Sequence, residues 1–193
     1  MMHEEITDAA ELWSHPGFGR LLGYVDQKRG GNRWARRSDI DPCEIPGLLP
    51  HLWLIEVAEG SPRLLVRLAG TRVESVYGRS LTGIHLENLD WGPNSARIFA
   101  SLHGMADTGR GHFLDVAAHV TPRLARRVQR LGLPLSEDQE RVSHLLLVAF
   151  YAFTRGGQGS IGPEHFREFW LEDADTRRDR AGRIAPAALN EKP

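Results

Sequence analysis

The chain of 193 residues is poor in several features, and each shortage excludes a class of protein. Cys43 is the single cysteine, so the sequence supports neither a disulfide framework nor a zinc site built on thiolates. The 24 basic and 25 acidic side chains leave a net charge of −1, which removes the simple electrostatic argument for nucleic acid or an anionic membrane as a partner. The longest apolar run, Leu145 to Phe153, is about half the length of a membrane span.

The N-terminal segment MMHEEITDAAELW lacks the basic region and long apolar stretch of a secretory signal. We therefore expect a cytoplasmic protein. Hydrophobic residues make up 41% of the chain, which is typical of a globular protein. A chain of this length forms one domain or one domain with extensions, because about 70% of its unfolded surface can be buried on folding.

Apolar spacing in the first half predicts an N-terminal helix, a short helix and two strands. The region from Asp8 to Tyr24 carries apolar residues on one helical face and is interrupted near Pro16. Asp41 and Pro42 have the pattern of a helix N-cap followed by proline at the first helical position. The two strand-like runs alternate, and the second predicts one shared face for Leu64, Val66 and Leu68.

The second half predicts one regular helix, from Asn94 to about Thr108, followed by three strands. Together these elements predict an α+β fold with a five-stranded antiparallel sheet and the helices packed on one face. The expected organisation is an N-terminal helix and polar loop over residues 1–37, a central domain over 38–153 and a C-terminal extension over 154–193. The extension is expected to comprise a Gly-rich linker, a short helix from Glu164 to Leu171 and a mobile tail from Glu172.

Several separated motifs in this order resemble a bacterial subgroup of single-domain PAS proteins, formerly classified as a domain of unknown function. The motifs are RSDIDPCEIPGLLPHLWLIEV from Arg37, RLAGT from Arg67, YGRSLTG from Tyr77 and RLGLPLSED from Arg130. The resemblance covers about residues 10 to 150 and leaves the C-terminal extension unexplained. It implies a PAS-like sheet, a cavity between sheet and helices, and a sensory or regulatory role.

The resemblance also implies how such a protein works. Many PAS proteins dimerise through the N-terminal helix or the sheet face, and single-domain members act through a separate signalling protein. A homodimer is therefore expected here. The candidate residues around the cavity either line an open ligand site or fill a closed core; they are Val66, Leu68, Tyr77, Leu86, Trp91, Phe99, Leu102 and His103.

His103 lies on the apolar face of the predicted long helix. Some PAS sensors bind haem through a histidine on this helix, and imidazole is a suitable axial ligand for iron. The competing interpretation is a hydrogen-bonded histidine at the edge of the core, and no further residue in the sequence supports haem. No metal site is expected, because the histidines lack any ligand spacing of known type.

Four arginines lie within eight residues of one predicted strand: Arg123, Arg126, Arg127 and Arg130. A solvated sheet face is one interpretation, and a docking surface for an acidic protein partner is another. Nucleic acid is disfavoured because no aromatic residues are interleaved with the arginines. A G-x-G-x-x-G run from Gly157 to Gly162 is interpreted as a flexible linker, because too little chain follows it for a dinucleotide fold.

The sequence therefore favours a sensory module that binds a small ligand. A ligand-free adaptor regulated by dimerisation is the alternative. An enzyme is not expected, since no catalytic motif such as a G-x-S-x-G elbow is present.

Overall fold

The computed structural model describes residues 5–61, 63–121, 124–153 and 165–178, and excludes the side chains of 118–126, 153 and 174. The helices longer than one turn are α1 (Ala9–Ser14), α2 (Pro16–Arg29), α3 (Thr71–Tyr77) and α4 (Ser95–Thr108). The strands are β1 (Leu52–Val57), β2 (Leu64–Ala69), β3 (Gly111–Thr121), β4 (Leu124–Leu135), β5 (His144–Phe153) and β6 (Phe166–Leu171). No described helix is long and apolar enough to cross a bilayer.

The strands form one antiparallel sheet in the order β2-β1-β5-β4-β3-β6. The α+β fold and the five predicted strands are confirmed. The sixth strand corrects the short helix expected over this segment, because Phe166 to Leu171 pairs with β3 from Val116 to Gly111. The outer edge of β3 offers unpaired backbone groups, and pairing with that edge satisfies both strands.

Helices cover both faces of the sheet, which corrects the expectation of helices on one face. On the first face, α1 and α2 pack against side chains such as Phe113, Leu131 and Val148. On the second face, α3, α4 and the short turns near them pack against side chains such as Leu114 and Leu147. Side chains alternate along a strand, so neighbouring residues of β5 belong to different cores.

A β-bulge at Arg67 changes the facing of residues in β2. Ile55 pairs with Val66 while Leu54 pairs with Leu68, so Arg67 is the extra residue. Val66 packs in the core under α3 and α4, whereas Leu68 packs with the core under α1 and α2. The prediction that Leu64, Val66 and Leu68 share one face is therefore wrong for Leu68.

The break between the N-terminal helices is made by His15 and Pro16. The Nδ1 atom of His15 accepts hydrogen bonds from the backbone N–H groups of Gly17 and Phe18, at 3.2 and 3.3 Å. Pro16 occupies the first helical position of α2, where its missing N–H costs nothing. The predicted interruption near Pro16 is confirmed and divides the predicted helix into α1 and α2.

Residues 172–178 pack against α1 and α2, which corrects the expectation of a mobile tail for this part of the extension. The indole of Trp13 donates to the backbone oxygen of Asp175 at 2.8 Å. The buried guanidinium of Arg29 donates to the backbone oxygen and the hydroxyl of Thr176, at 2.7 and 3.0 Å. The Gly-rich run 157–162 and the tail beyond residue 178 lie outside the described residues.

Truncation of Phe18 tests whether α2 is part of the main fold. Phe18 is fully buried and makes edge contacts with Phe113 and Phe150, with ring centroids 5.6 and 5.1 Å apart. We expect Phe18→Ala to lower the free energy of unfolding by about 3–5 kcal/mol, measured by urea denaturation.

The matched control is Gln27→Ala on the exposed face of the same helix, which is expected to change the free energy of unfolding by less than about 0.5 kcal/mol. Equal, small effects of both substitutions would contradict the packing of α2 on the sheet.

Candidate functional site

A pocket lies between the sheet and the helices α3 and α4, as the PAS resemblance implies. We call it the aromatic pocket; its walls are Trp53, Val76, Tyr77, Trp91, Ile98, Leu114, Val116, Val128, Arg130, Leu147, Ala149 and Tyr151. The cavity measures about 30 Å³, which is room for about two water molecules. In this conformation the pocket is therefore nearly closed.

Aromatic rings form one wall of the aromatic pocket. Trp53 and Trp91 are stacked with their centroids 5.9 Å apart, and Tyr77 meets both rings edge-on. Trp53 is buried, whereas Trp91 and Tyr77 are partly exposed. The indole of Trp91 donates a long hydrogen bond of 3.3 Å to the backbone oxygen of Leu86. The rim of the pocket is thus more exposed than its interior.

Arg130 is a cation inside this mainly apolar and aromatic pocket. Its residue is 4% exposed, and its Nη2 donates to the hydroxyl of Ser101 on α4 at 2.8 Å. Its Nε and Nη1 atoms have no hydrogen-bond partner among the described residues. No described carboxylate lies within ion-pair distance of it, although the negative charge of Glu168 acts to raise its pKa. Burial lowers the pKa of Arg130 to about 10, so it remains a cation near neutral pH.

His112 lies beside Arg130 on the same face of the sheet. It is fully buried, contacts the ring of Trp170 at 4.5 Å, and its Nε2 is 3.0 Å from the carboxylate of Glu168. Burial, with a smaller contribution from the charge of Arg130, lowers the pKa of His112 to about 3. A neutral imidazole that donates from Nε2 to Glu168 fits this environment.

The opposite face of the same strands carries a second polar cluster, centred on the buried carboxylate of Asp115. Arg127 donates to it at 2.8 Å, Gln129 at 3.1 Å, and Nε2 of His165 lies 3.0 Å away. Burial raises the pKa of Asp115, but the hydrogen bonds and charge of Arg127 outweigh this and hold the pKa below its usual range. Asp115 is therefore an ionised, fully bonded group.

The positions of Arg127 and Arg130 differ from the expected arginine-rich surface on β4. Arg127 is mostly buried against Asp115, and Arg130 is buried in the aromatic pocket, so neither lies on a solvated or docking face. Alternation along β4 separates the two, as predicted, but both faces of the strand are covered. Arg123 and the side chain of Arg126 lie outside the described residues.

The predicted cavity residues divide into four groups. Tyr77 and Trp91 line the aromatic pocket; Val66, Leu86 and Leu102 are fully buried in the same core without lining it. Phe99 meets Trp91 edge-on at 6.0 Å, just behind the rim. Leu68 and His103 are placed elsewhere: Leu68 on the opposite face, and His103 half-buried with its Nε2 3.9 Å from Glu87. Haem ligation through His103 gains no support from this placement.

Sequence reasoning missed Trp53, Tyr151 and above all Arg130 as pocket residues. The available signal was the apolar residues Val128, Leu131 and Leu133 around Arg130, which fall on both faces of an alternating strand. Such a strand is covered on both sides, so an arginine within it points into a core. Within the described ranges, no group of metal-ligating side chains is assembled.

The PAS domain family model matches residues 13–148, which is most of the chain. The chain belongs to the PAS domain family. Among solved structures, the Rhodobacter sphaeroides LOV protein is similar with a TM-score of 0.45 and 15% identity, covering 62% of this chain and 71% of that one. A variant of RsLOV is similar with a TM-score of 0.45 and 14% identity, covering 63% and 74%. Comparison with curated proteins gives no match.

Removal of Arg127 tests the buried cluster on the first face. Arg127→Met leaves the carboxylate of Asp115 buried without its cation, and we expect a loss of about 3–5 kcal/mol in the free energy of unfolding. The control is Arg67→Met, which breaks the exposed pair with Glu56 and is expected to cost at most about 1 kcal/mol. A larger effect of the control would contradict this assignment.

The lowered pKa of His112 predicts a pH dependence of stability. Below about pH 6.5 the unfolded chain binds a proton at this histidine and the folded PAS domain does not, so stability falls with pH. The slope is up to about 1.4 kcal/mol per pH unit and persists down to the folded pKa of about 3. His112→Gln removes this contribution, so urea denaturation from pH 7 to 4.5 should show the stability gap between wild type and variant narrowing. A constant gap over this range would refute the assignment.

Proposed function

We propose that this PAS domain is a cytoplasmic sensory module that binds a small ligand in the aromatic pocket and signals to a separate protein. The observation that carries the proposal is Arg130, a buried cation with two nitrogen atoms unpaired among the described residues. A pocket with mainly apolar walls and a small number of polar groups, here Arg130, Tyr77 and Tyr151, is the usual form of a small-molecule site.

The energetic argument begins with the cost of burying a charge. An ion removed from water without a partner loses several kcal/mol, and an apolar side chain of similar size often stabilises such a position. The face of the sheet around Arg130 is otherwise built from residues such as Leu114, Val128 and Leu147. A buried cation at this position is explained if a ligand supplies its missing partner. A buried ionisable side chain in a cleft, with its pKa shifted by burial, is therefore a candidate for a functional site.

A route for the signal follows from the same side chain. The hydrogen bond from Arg130 to Ser101 joins the pocket directly to α4, and Ser101 itself donates to the backbone oxygen of Ile98. A ligand that engages Arg130 competes with this hydrogen bond or reinforces it, and so favours one packing of α4 on the sheet. Such a shift requires that the ligand bind the two packings with different affinity.

The alternative function is a ligand-free adaptor regulated by dimerisation. The observation that favours it is the cavity of about 30 Å³, which is far smaller than the several hundred Å³ of an ordinary ligand pocket. For the sensory function, the partly exposed Tyr77 and Trp91 have to move when a ligand enters. The two functions therefore differ in whether the purified protein carries a small molecule.

Native mass spectrometry of the protein isolated from its own host tests the sensory proposal. We expect wild type to carry a small non-covalent adduct, and Ala149→Val to lose it, because the added methyl groups fill the cavity beside Ala149.

Gln27→Ala, on the surface of α2, serves as the control and is expected to retain the adduct. A protein that is always free of adduct but changes between monomer and dimer would support the adaptor instead.

A further inference from the structure

Resting on the proposed function, we propose that the ligand of the aromatic pocket is a small monocarboxylate whose carboxylate group binds Arg130. The inference names the chemistry of the missing partner. It follows from three properties of the site: the donors that are free, the space beside them and the walls around that space.

The free donors point to a planar anion. A guanidinium carries five N–H groups, and the two nitrogens of Arg130 without a partner among the described residues account for three of them. Nε and Nη1 donate to different sides of the guanidinium, so a carboxylate takes two parallel hydrogen bonds from one of these nitrogens together with the N–H of Nη2 that Ser101 leaves free. Such charge-assisted bonds are among the strongest in proteins. A neutral carbonyl or hydroxyl ligand would leave the buried charge uncompensated.

The charge of the pocket favours an anion with one negative charge. Arg130 is the single cation among the residues that line the aromatic pocket. His112 is neutral because burial lowers its pKa to about 3, and it is hydrogen-bonded to the carboxylate of Glu168, whose negative charge already lies on this face of the sheet. A phosphate or dicarboxylate would place a second negative charge against apolar walls without a partner, which is unfavourable.

The size of the cavity favours a short ligand. Its volume of about 30 Å³ corresponds to about two water molecules, close to the space that the two oxygen atoms of a carboxylate occupy. The remainder of the ligand then points away from Arg130 towards Trp91 and Tyr77, which are partly exposed. Their aromatic surfaces suit a short alkyl or aromatic group. The acid group therefore lies deep in the pocket, with the apolar group at the rim.

The experiment compares acids with their amides on purified, dialysed protein by isothermal titration calorimetry. The probes are acetate, propionate, butyrate and benzoate, each matched with its amide of nearly equal shape. We expect at least one acid to bind wild type about 100-fold more tightly than its amide, because only the acid compensates the buried cation. This comparison needs no variant and holds whether or not a substitution perturbs folding.

Substitutions then assign the effect to Arg130. Arg130→Met is expected to weaken acid binding about 100-fold while leaving amide binding unchanged. Arg130→Lys keeps the charge but loses the planar pair of donors, and about a tenfold weakening is expected. Arg72→Met, an exposed arginine on α3, is the control and should bind as wild type does.

A stability measurement separates a ligand-binding arginine from a structural one. Without ligand, Arg130→Met is expected to melt at the same temperature as wild type or higher, because an apolar side chain replaces an unpaired buried charge. Addition of the bound acid should then raise the melting temperature of wild type only. A marked fall in melting temperature of ligand-free Arg130→Met would show that the arginine is structural and would overturn the inference.

The remaining outcomes distinguish this inference from the proposed function. The inference of a carboxylate ligand is overturned if the acids bind no better than their amides, or if nitrate and chloride bind as well as the acids. Either result still leaves the proposal that the aromatic pocket binds a ligand. Failure of every acid and amide, together with adduct-free protein in native mass spectrometry, overturns both.

Discussion

Helices cover both faces of one antiparallel sheet, and this constraint assigns nearly every side chain of the central strands to a buried position. Along β5, Leu146 and Val148 pack under α2, while Leu145 and Leu147 pack under α4. Neither core has a solvated side to which a polar group can turn. Every charged residue on these strands must therefore find a partner within the protein or receive one from a ligand.

Two polar sites on β3 and β4 meet this requirement differently. The carboxylate of Asp115 is surrounded by donors from Arg127, Gln129 and His165, so the first face holds a complete network. On the second face, Arg130 lines a small cavity and has a hydrogen bond to Ser101, while its Nε and Nη1 atoms have no partner among the described residues. A complete network fixes strand pairing and packing. The incomplete network around Arg130 is the place where we propose that a ligand binds.

The incomplete site also borders an irregular segment of the chain. Deep in the pocket, Trp53 and Arg130 are buried on the sheet, whereas Trp91 belongs to the irregular segment before α4 and is held by a long hydrogen bond. A small shift of this segment changes both the pocket volume and the packing of α4. The proposed sensing step thus requires rearrangement of the helical layer alone, while the sheet, fixed by the cluster around Asp115, remains as it is.

The sequence by itself determined the family and the order of the elements from Asp8 to Phe153, but not the strand that follows them. Alternation identified the strands, and Asp41 with Pro42 marked a helical turn that the Asp41 side chain caps, because these signals depend on local backbone geometry. The start of α4 after Asn94 was also predicted, but the Asn94 side chain donates to the backbone oxygen of Ala117 instead of capping the helix. Motifs in the right order then indicated a PAS domain. Of the candidate pocket residues, Tyr77 and Trp91 were found this way, because large aromatic residues near the expected cavity are a local signal as well.

Only the tertiary structure decided which faces are covered. Phe166 to Leu171 became a strand because the edge of β3 was open to it, and Leu68 changed face because Arg67 forms a bulge. The burial of Arg130 depends on α4 above it and on β5 beside it, contacts that no local pattern encodes. The sequence of a strand does not show whether solvent or a helix covers one of its arginines. The free-energy cost of the charge is small in solvent and large under a helix, so this difference decides the role of the arginine.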